Sequence, residues 1–367
     1  MPVIKPGFRL RPGTRGSSGF APASSIADRL SDLPAISNNP GKLRGRFFVP
    51  AGLRGPAPLV VVLHGCTQDA AVYDHGSGWS QLAEREGFAL LFPEQDRANN
   101  PMLCFNWFSD ADTARGKGEA ASIRAMIDAM GEVQSIDPAR IFVTGLSAGG
   151  AMAAAMLAAY PELFAAGAII AGVPTGAAGS AQEAFEAMAG RRPPAPLRQA
   201  SHKGPWPRVQ IWQGMGDSTV VPANADALAR QWAQVQGLAA TPDRQERVGA
   251  ATRLAWTGAD GAVAVEQYRI PAMGHGVPID PRGDGLGRAG AHMLDVGLGS
   301  TRGIAEFFGI AGEAVAAPVE ERGAAPALAL EPVAASRARA EPEPAPADAS
   351  GVQAVIERAL RSAGLMR

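Results

Sequence analysis

A serine between glycines is the first residue of this chain whose setting suggests covalent chemistry. Residues 145–149 read GLSAG and match the pattern G-x-S-x-G. The apolar run IFVT precedes the motif as a predicted buried strand, and GGAMAAAML follows as a predicted helix of small residues. A sharp strand-to-helix turn would expose the hydroxyl of Ser147, so the pattern predicts a nucleophile. The alternative is a serine that caps the N-terminus of the helix.

A serine hydroxyl needs a base to take its proton. The chain has five histidines, and His275 lies in the sequence MGHG, directly after the last predicted strand of the sheet. This position favours His275 as the base, with His292 as the alternative in a later loop or helix. His64 ends an apolar run, and we expect it to be a packed, hydrogen-bonded structural residue.

A carboxylate should hold the imidazole, and where a G-x-S-x-G turn carries the nucleophile, this carboxylate comes between the serine and the histidine in the chain. Asp217 follows the run QIWQGMG and precedes STVVP, so it lies where a predicted strand passes into a loop. Asp226 falls in the next predicted helix, and neither Asp243 nor Asp260 has a strand directly before it. The sequence therefore favours Asp217 as the acid.

The tetrahedral intermediate of ester hydrolysis needs N–H donors for its oxyanion. One donor is expected to be the backbone N–H of Ala148, the residue after the nucleophile. The second should come from the loop after an earlier strand. The run HGC at 64–66 ends the most apolar strand of the N-terminal half, so the N–H of Cys66 is the candidate.

Short apolar runs alternate with helical patterns along the chain, which predicts an α/β fold. A mostly parallel sheet with helices on both faces is expected, and its ligands should bind at the carboxyl ends of the strands. The predicted strands are 44–50, 58–65, 88–94, 139–147, 165–172, 207–214, 252–258 and 263–271. The predicted helices are 79–86, 116–134, 148–161, 223–236 and 301–308.

Composition divides the 367 residues into four parts. Residues 1–40 are rich in Gly, Ser and Pro and are predicted to be a poorly ordered leader, followed by the catalytic domain at 41–312. Residues 313–350 are rich in Ala, Pro and Glu and are predicted to be a disordered linker. Residues 351–367 are predicted to be a short amphipathic helix that docks on the domain or contacts a partner.

Charge and hydropathy exclude several classes of partner. The formal net charge is −1, which gives no electrostatic reason to expect nucleic acid or a membrane surface. No apolar run approaches the roughly 20 residues of a membrane-spanning helix. The two cysteines leave open either two buried thiols or one disulfide, and in a cytosolic protein free thiols are the default.

Four segments together resemble the polyhydroxybutyrate depolymerase family of esterases, whose relatives include feruloyl and acetylxylan esterases. The similarity covers about residues 42–310. The segments are LHGCTQ at 63–68, CFNWF at 104–108, GLSAGGAM at 145–152 and GAHMLD at 290–295. The first two are considerably more specific than the serine motif alone.

This resemblance implies a serine esterase of the α/β-hydrolase fold that acts on short-chain polyhydroxyalkanoates without a metal or organic cofactor. It carries the catalytic roles onto Ser147, Asp217 and His275. It also implies that Cys66 and Cys104 pair as a disulfide beside the site. Asn106 and Trp107 would then lie near the substrate, although Trp107 could equally be a core residue.

Two other functions stay open from the sequence. A feruloyl or acetylxylan esterase, or a general short-chain esterase, would use the same catalytic residues, because specificity resides in loops. A non-catalytic protein that binds polyester granules through residues 351–367 would belong to another class. The resemblance implies an extracellular enzyme, whereas the N-terminus shows no recognisable secretory signal, which leaves the cytoplasm open as well.

Overall fold

The computed structural model describes residues 28–197, 202 and 204–312. Its strands are β1 (Ser31–Asp32), β2 (Arg44–Phe48), β3 (Ala57–Leu63), β4 (Ala89–Glu94), β5 (Ile136–Leu146), β6 (Ala166–Ile170), β7 (Arg208–Gly214), β8 (Arg244–Val248), β9 (Ala251–Thr257), β10 (Val263–Ile270), β11 (Val277–Ile279) and β12 (Met293–Asp295). Its helices are α1 (Ala70–Ser77), α2 (Trp79–Glu86), α3 (Asp110–Thr113), α4 (Gly118–Val133), α5 (Ala148–Ala159), α6 (Ala181–Met188), α7 (Ala223–Val235) and α8 (Ser300–Phe308).

Ten of the strands form one sheet in the order β1-β2-β4-β3-β5-β6-β7-β10-β9-β8. The six central strands, from β4 to β10, are parallel to one another. Antiparallel strands flank them on both sides. Parallel strands end at the same edge, so the loops after β3, β5, β7 and β10 meet there.

Alternation along the buried strands divides the core between the two faces of the sheet. In β3 every residue is buried. Leu59, Val61 and Leu63 pack with side chains of α4, α5 and α7, whereas Val60 and Val62 pack with those of α2 and α8. Helix α5 is buried on nearly all sides, whereas α2, α4, α7 and α8 bury one face each. The predicted α/β architecture, with helices on both faces, is confirmed.

The packed part of the chain extends N-terminally of the predicted boundary at residue 41. Ser31 and Asp32 pair antiparallel with β2, and the N–H of Leu33 donates to the Gly45 carbonyl at 2.8 Å. Leu33 is buried against the first face of the sheet. The composition of residues 28–40 did not predict this packing, because only a few apolar residues hold the segment in place. Residues 1–27, the predicted linker at 313–350 and the predicted helix at 351–367 lie outside the described residues.

The prediction missed several short elements that lack a strong hydrophobic period. β8 is the sheet-edge strand RQERV, and most of its side chains are exposed. Helices α1, α3 and α6 are eight residues or shorter, and β11 and β12 have three residues each. Among the described residues, no helix is both long and apolar enough to cross a bilayer.

Candidate active site

Ser147 forms the whole turn between β5, which ends at Leu146, and α5, which begins at Ala148. Its backbone angles are φ 58° and ψ −116°, a strained conformation that residues with a side chain rarely adopt. Its hydroxyl makes no capping hydrogen bond to α5. Ser147 is therefore the N-cap residue by position, but its side chain does not cap the helix and lies in the cleft at the carboxyl edge of the sheet.

The two flanking glycines are required because backbone segments pass very close to them. A Cβ on Gly149 would lie 2.3 Å from the Leu63 carbonyl oxygen and 2.5 Å from that of His64. A Cβ on Gly145 would lie 2.4 Å from the Gly149 carbonyl oxygen. The start of α5 is thus pressed against the end of β3, and this contact brings Ser147 next to the loop that carries Cys66.

Asp217 and His275 form a hydrogen-bonded pair in the loops after β7 and β10. The Nδ1 of His275 lies 2.7 Å from Oδ2 of Asp217, whose side chain is fully buried. The other carboxylate oxygen, Oδ1, accepts the backbone N–H groups of Thr219 and Val220 at 2.8 and 2.9 Å. These two donors fix the plane of the carboxylate, so the oxygen that faces His275 is determined by the fold.

The other aspartates that the sequence left open lie in different surroundings. Asp226 accepts hydrogen bonds from Gln267 and Arg269, while Asp243 accepts from Thr257. Asp260 accepts the N–H of Ala262 in a tight turn. Among the described residues, Asp217 is the aspartate that contacts His275.

Ser147 and His275 line the same cleft. No hydrogen bond among the described residues joins their side chains, and in substrate-free sites such bonds are often long and tighten when the substrate binds. The cleft also contacts Cys66, Ala148 and Trp107. Three loops at the carboxyl edge of the sheet therefore bring together the residues that the sequence predicted as nucleophile, base and oxyanion donors.

Two backbone N–H groups are available beside Ser147. Within the described part of the chain, neither the N–H of Cys66 nor that of Ala148 has a hydrogen-bond acceptor. Ala148 is the first residue of α5, where N–H groups lack helical partners and the helix dipole favours negative charge. The arrangement can stabilise an oxyanion that forms next to Ser147.

A disulfide joins Cys66 to Cys104, with the two Cα atoms 4.2 Å apart. The default of free thiols, which composition alone favours, is therefore wrong, and the pairing implied by the family resemblance is correct. The bond ties the loop after β3 to the segment that carries Trp107, across 38 positions of sequence.

The structure places Trp107 in the lining of the cleft and partly against a small apolar cluster, and it places Asn106 outside that lining. Trp107 lines the cleft and packs edge-on against Phe108, with ring centroids 5.8 Å apart. Asn106 is not among the residues that line the cleft. Its side-chain amide instead donates to Glu119 at 2.8 Å and accepts from Asn100 at 2.9 Å. These two hydrogen bonds join the segment that carries Trp107 to α4 and to the preceding loop.

Glu119 is a buried residue of the site that the sequence analysis missed. It accepts hydrogen bonds from the side chain of Gln95 at 2.6 Å and from the backbone and side-chain amides of Asn106, both at 2.8 Å. Burial raises the pKa of Glu119 to about 8, although these donors lower it. A glutamate in the first turn of a predicted helix is normally solvent-exposed, so no local signal marked it.

His64 is structural, as predicted. It is buried, its Nδ1 contacts the Gly65 carbonyl at 2.8 Å, and its Nε2 accepts the N–H of Gln95 at 3.1 Å. Burial lowers the pKa of His64 to about 4, so the ring is neutral at pH 7. Gln95 thus contacts both His64 and Glu119, and it links the Cys66 loop to the Asn106 loop.

Comparison with known proteins shows which family the chain resembles. Residues 46–253 match the family model described as esterase PHB depolymerase. The poly(3-hydroxyalkanoate) depolymerase C of Paucimonas lemoignei is 43% identical over 304 residues, which cover 80% of this chain and 73% of that protein. Acetylxylan esterase A of Aspergillus oryzae is 33% identical, over 58% of this chain and 72% of that protein.

The solved acetyl xylan esterase from Aspergillus awamori superposes with a TM-score of 0.65 at 25% identity, over 77% of this chain and 99% of that one. These relatives are carboxylic ester hydrolases, and so is this chain, an esterase of the α/β-hydrolase class. The matched segment and the extent of the similarity show that the chain belongs to the PHB depolymerase family of esterases.

Proposed function

We propose that the protein hydrolyses the ester bonds of short-chain polyhydroxyalkanoates, with Ser147 as nucleophile, His275 as base and Asp217 as the acid that orients it. The observation that carries the proposal is the similarity to a poly(3-hydroxyalkanoate) depolymerase, at 43% identity over 80% of the chain. The strained turn at Ser147 and the Asp217–His275 hydrogen bond support the assignment of roles.

In the acylation step, Ser147 Oγ attacks the ester carbonyl carbon while its proton passes to Nε2 of His275. Asp217 accepts from Nδ1, which selects the tautomer with a free Nε2 and stabilises the imidazolium. The N–H groups of Cys66 and Ala148 donate to the oxyanion. Collapse of the intermediate breaks the bond to the alcohol oxygen, which takes the proton from His275.

In the deacylation step, water attacks the acyl-enzyme and gives its proton to His275. The second tetrahedral intermediate uses the same oxyanion donors. Its collapse breaks the bond between the acyl carbon and Ser147 Oγ, and the serine recovers its proton from His275. Each cycle consumes one water and leaves one carboxylic acid end and one hydroxyl end.

The wall of the cleft suits an aliphatic polyester. Large apolar side chains surround Ser147, and they can pack against the methylene and methyl groups of a hydroxybutyrate unit. These side chains are Met102, Trp107, Phe108, Phe185 and Met188. Ser147 and the two N–H donors supply polar groups at one end, where the ester carbonyl reacts.

A second candidate is an acetylxylan esterase, favoured by the structural match that covers 99% of the solved acetyl xylan esterase chain. The same serine chemistry would then release acetate from a polysaccharide. The two candidates differ in the group that occupies the cleft beside Trp107.

A substrate panel separates the candidates. The protein is incubated with amorphous polyhydroxybutyrate and with acetylated xylan, and released hydroxybutyrate and acetate are quantified, with p-nitrophenyl butyrate as a measure of active enzyme. We expect hydroxybutyrate release to dominate. Acetate release without hydroxybutyrate, from a preparation that cleaves the soluble ester, would replace the proposal with the second candidate.

A further inference from the structure

His292 has an unusual backbone conformation next to the proposed base. Its φ is 60°, in the left-handed region that favours glycine. The conformation is held by the neighbouring β11–β12 pair, in which Val277 is in register with Met293. The N–H of Val277 also donates to the His292 carbonyl at 2.8 Å. A strained residue that its surroundings hold this firmly points to a functional constraint.

The His292 side chain contacts the backbone of His275. Its Nδ1 lies 3.2 Å from the His275 carbonyl oxygen, and the two imidazole rings are edge-to-face with centroids 5.9 Å apart. A carbonyl oxygen can only accept, so Nδ1 of His292 carries the proton of this hydrogen bond. His292 also lines the cleft, together with Ser147 and His275.

The loop that carries His275 packs against the end of β7 before the histidine, where the N–H of Gly216 donates to the Met273 carbonyl at 2.9 Å, and against the His292 segment after it. Gly274 and Gly276 flank the histidine, and glycine leaves the backbone unusually free. A Cβ on Gly274 would meet nothing within 4 Å, so that side of the loop is open. A Cβ on Gly276 would lie 2.7 Å from the His292 carbonyl oxygen, which shows how closely the two segments approach.

We propose that His292 is a positioning residue, which holds the backbone of His275 through its Nδ1 hydrogen bond while Asp217 holds the ring. The two hydrogen bonds act on different parts of the same residue. Together they fix where Nε2 of His275 lies relative to Ser147. This inference rests on the proposed role of His275 as the base.

The test compares His292→Gly with His292→Asn. Both residues tolerate a positive φ, but only asparagine keeps an N–H donor in the side chain. With p-nitrophenyl butyrate we expect His292→Gly to lower kcat about tenfold, the effect of a small misplacement of the base, with little change in KM. His292→Asn should recover most of that loss.

Lys42→Gly is the matched control, because Lys42 has φ 51°, is exposed and does not line the cleft. Its kcat should equal that of the unchanged protein. Thermal unfolding of all variants checks that each is folded. If His292→Gly does not fold, His292→Asp replaces it, because aspartate matches asparagine in shape but has no N–H donor.

Three results would overturn the proposal. These are an unchanged kcat in the variant without a donor, a loss that asparagine does not restore, and a loss confined to KM, which would indicate substrate contact instead. The proposed function fails differently. Its substrate assignment fails if the unchanged protein releases no hydroxybutyrate from amorphous polyhydroxybutyrate, and its assignment of the base fails if His275→Ala hydrolyses p-nitrophenyl butyrate as well as the unchanged protein does.

Discussion

Replacement of Asp217 by asparagine should reverse the hydrogen bond to His275 without disturbing the fold. Oδ1 of Asp217 accepts two backbone N–H groups, from Thr219 and Val220. The carbonyl oxygen of an asparagine must stay at that position, because an amide NH2 there would face two donors. Its NH2 group is then directed at Nδ1 of His275, which lies 2.7 Å from the present carboxylate oxygen, and it replaces the weaker hydrogen bond that Nε2 of Gln213 donates to that oxygen at 3.3 Å.

The consequence for catalysis follows from the tautomer. Nδ1 of His275 would become an acceptor, so the proton would move to Nε2, the atom that has to take the proton of Ser147. We expect kcat to fall by about 10⁴-fold, the loss seen when a catalytic triad has the wrong tautomer. This corresponds to about 5 kcal/mol of transition-state stabilisation.

The assay is the hydrolysis of p-nitrophenyl butyrate at pH 7 and 25 °C, with unfolding followed by circular dichroism. Asp226→Asn is the matched control, because Asp226 accepts from Gln267 and Arg269 and does not contact His275. Its kcat should stay within about twofold of the unchanged protein. A loss of less than tenfold in a folded Asp217→Asn protein would refute the assignment of the acid.

Three further predictions concern the disulfide, Glu119 and Trp107. The double variant Cys66→Ser, Cys104→Ser should have a free energy of unfolding about 4 kcal/mol lower, because the bond closes a loop of 38 residues. Denaturant titration measures this loss. A change below about 1 kcal/mol would contradict the chain-entropy argument. Burial raises the pKa of Glu119 to about 8 in the folded protein, whereas in the unfolded chain it is about 4.5. The free energy of unfolding is therefore highest below about pH 4.5 and falls as the pH rises towards 8. Relative to Glu119→Gln, the free energy of unfolding should therefore fall by about 1.4 kcal/mol per pH unit between pH 5 and 8, and parallel pH profiles would show that the carboxyl is ionised throughout. Trp107→Ala should raise KM for a hydroxybutyrate trimer roughly tenfold, the effect of losing one aromatic contact, with a smaller change in kcat; an unchanged KM would place Trp107 in a purely packing role.

The parts of the site that the sequence predicted are those encoded locally. Ser147 stands between an apolar strand and a helix of small residues, and the flanking glycines allow the close backbone contacts that the structure contains. Asp217 and His275 each follow an apolar strand, and parallel strands deliver their carboxyl ends to one edge. Strand order was not needed for that prediction, since every parallel strand ends on the same side.

The parts that the sequence did not predict depend on contacts between distant segments. Glu119 has the local signature of an exposed first-turn glutamate, and only the packing of Gln95 and Asn106 around it makes it buried. The same network binds the side chain of Asn106, which does not line the cleft. The disulfide came from family resemblance, because 38 positions of sequence give no geometric reason for Cys66 to meet Cys104.

Short elements were missed for a different physical reason. The edge strand RQERV, β8, has mostly exposed side chains, so it shows no apolar alternation. The three-residue strands β11 and β12 are too short for any period, yet they hold His292 against His275. Side-chain patterns report burial, and these elements are defined by backbone pairing instead.

The central claim, an esterase that cleaves polyhydroxyalkanoates through Ser147, is tested most directly by one measurement. Hydroxybutyrate released from amorphous polyhydroxybutyrate is quantified for the unchanged protein and for Ser147→Ala. We expect steady release by the unchanged protein and a loss of at least about 10³-fold in the variant. Release that persists in a folded Ser147→Ala protein would contradict the account.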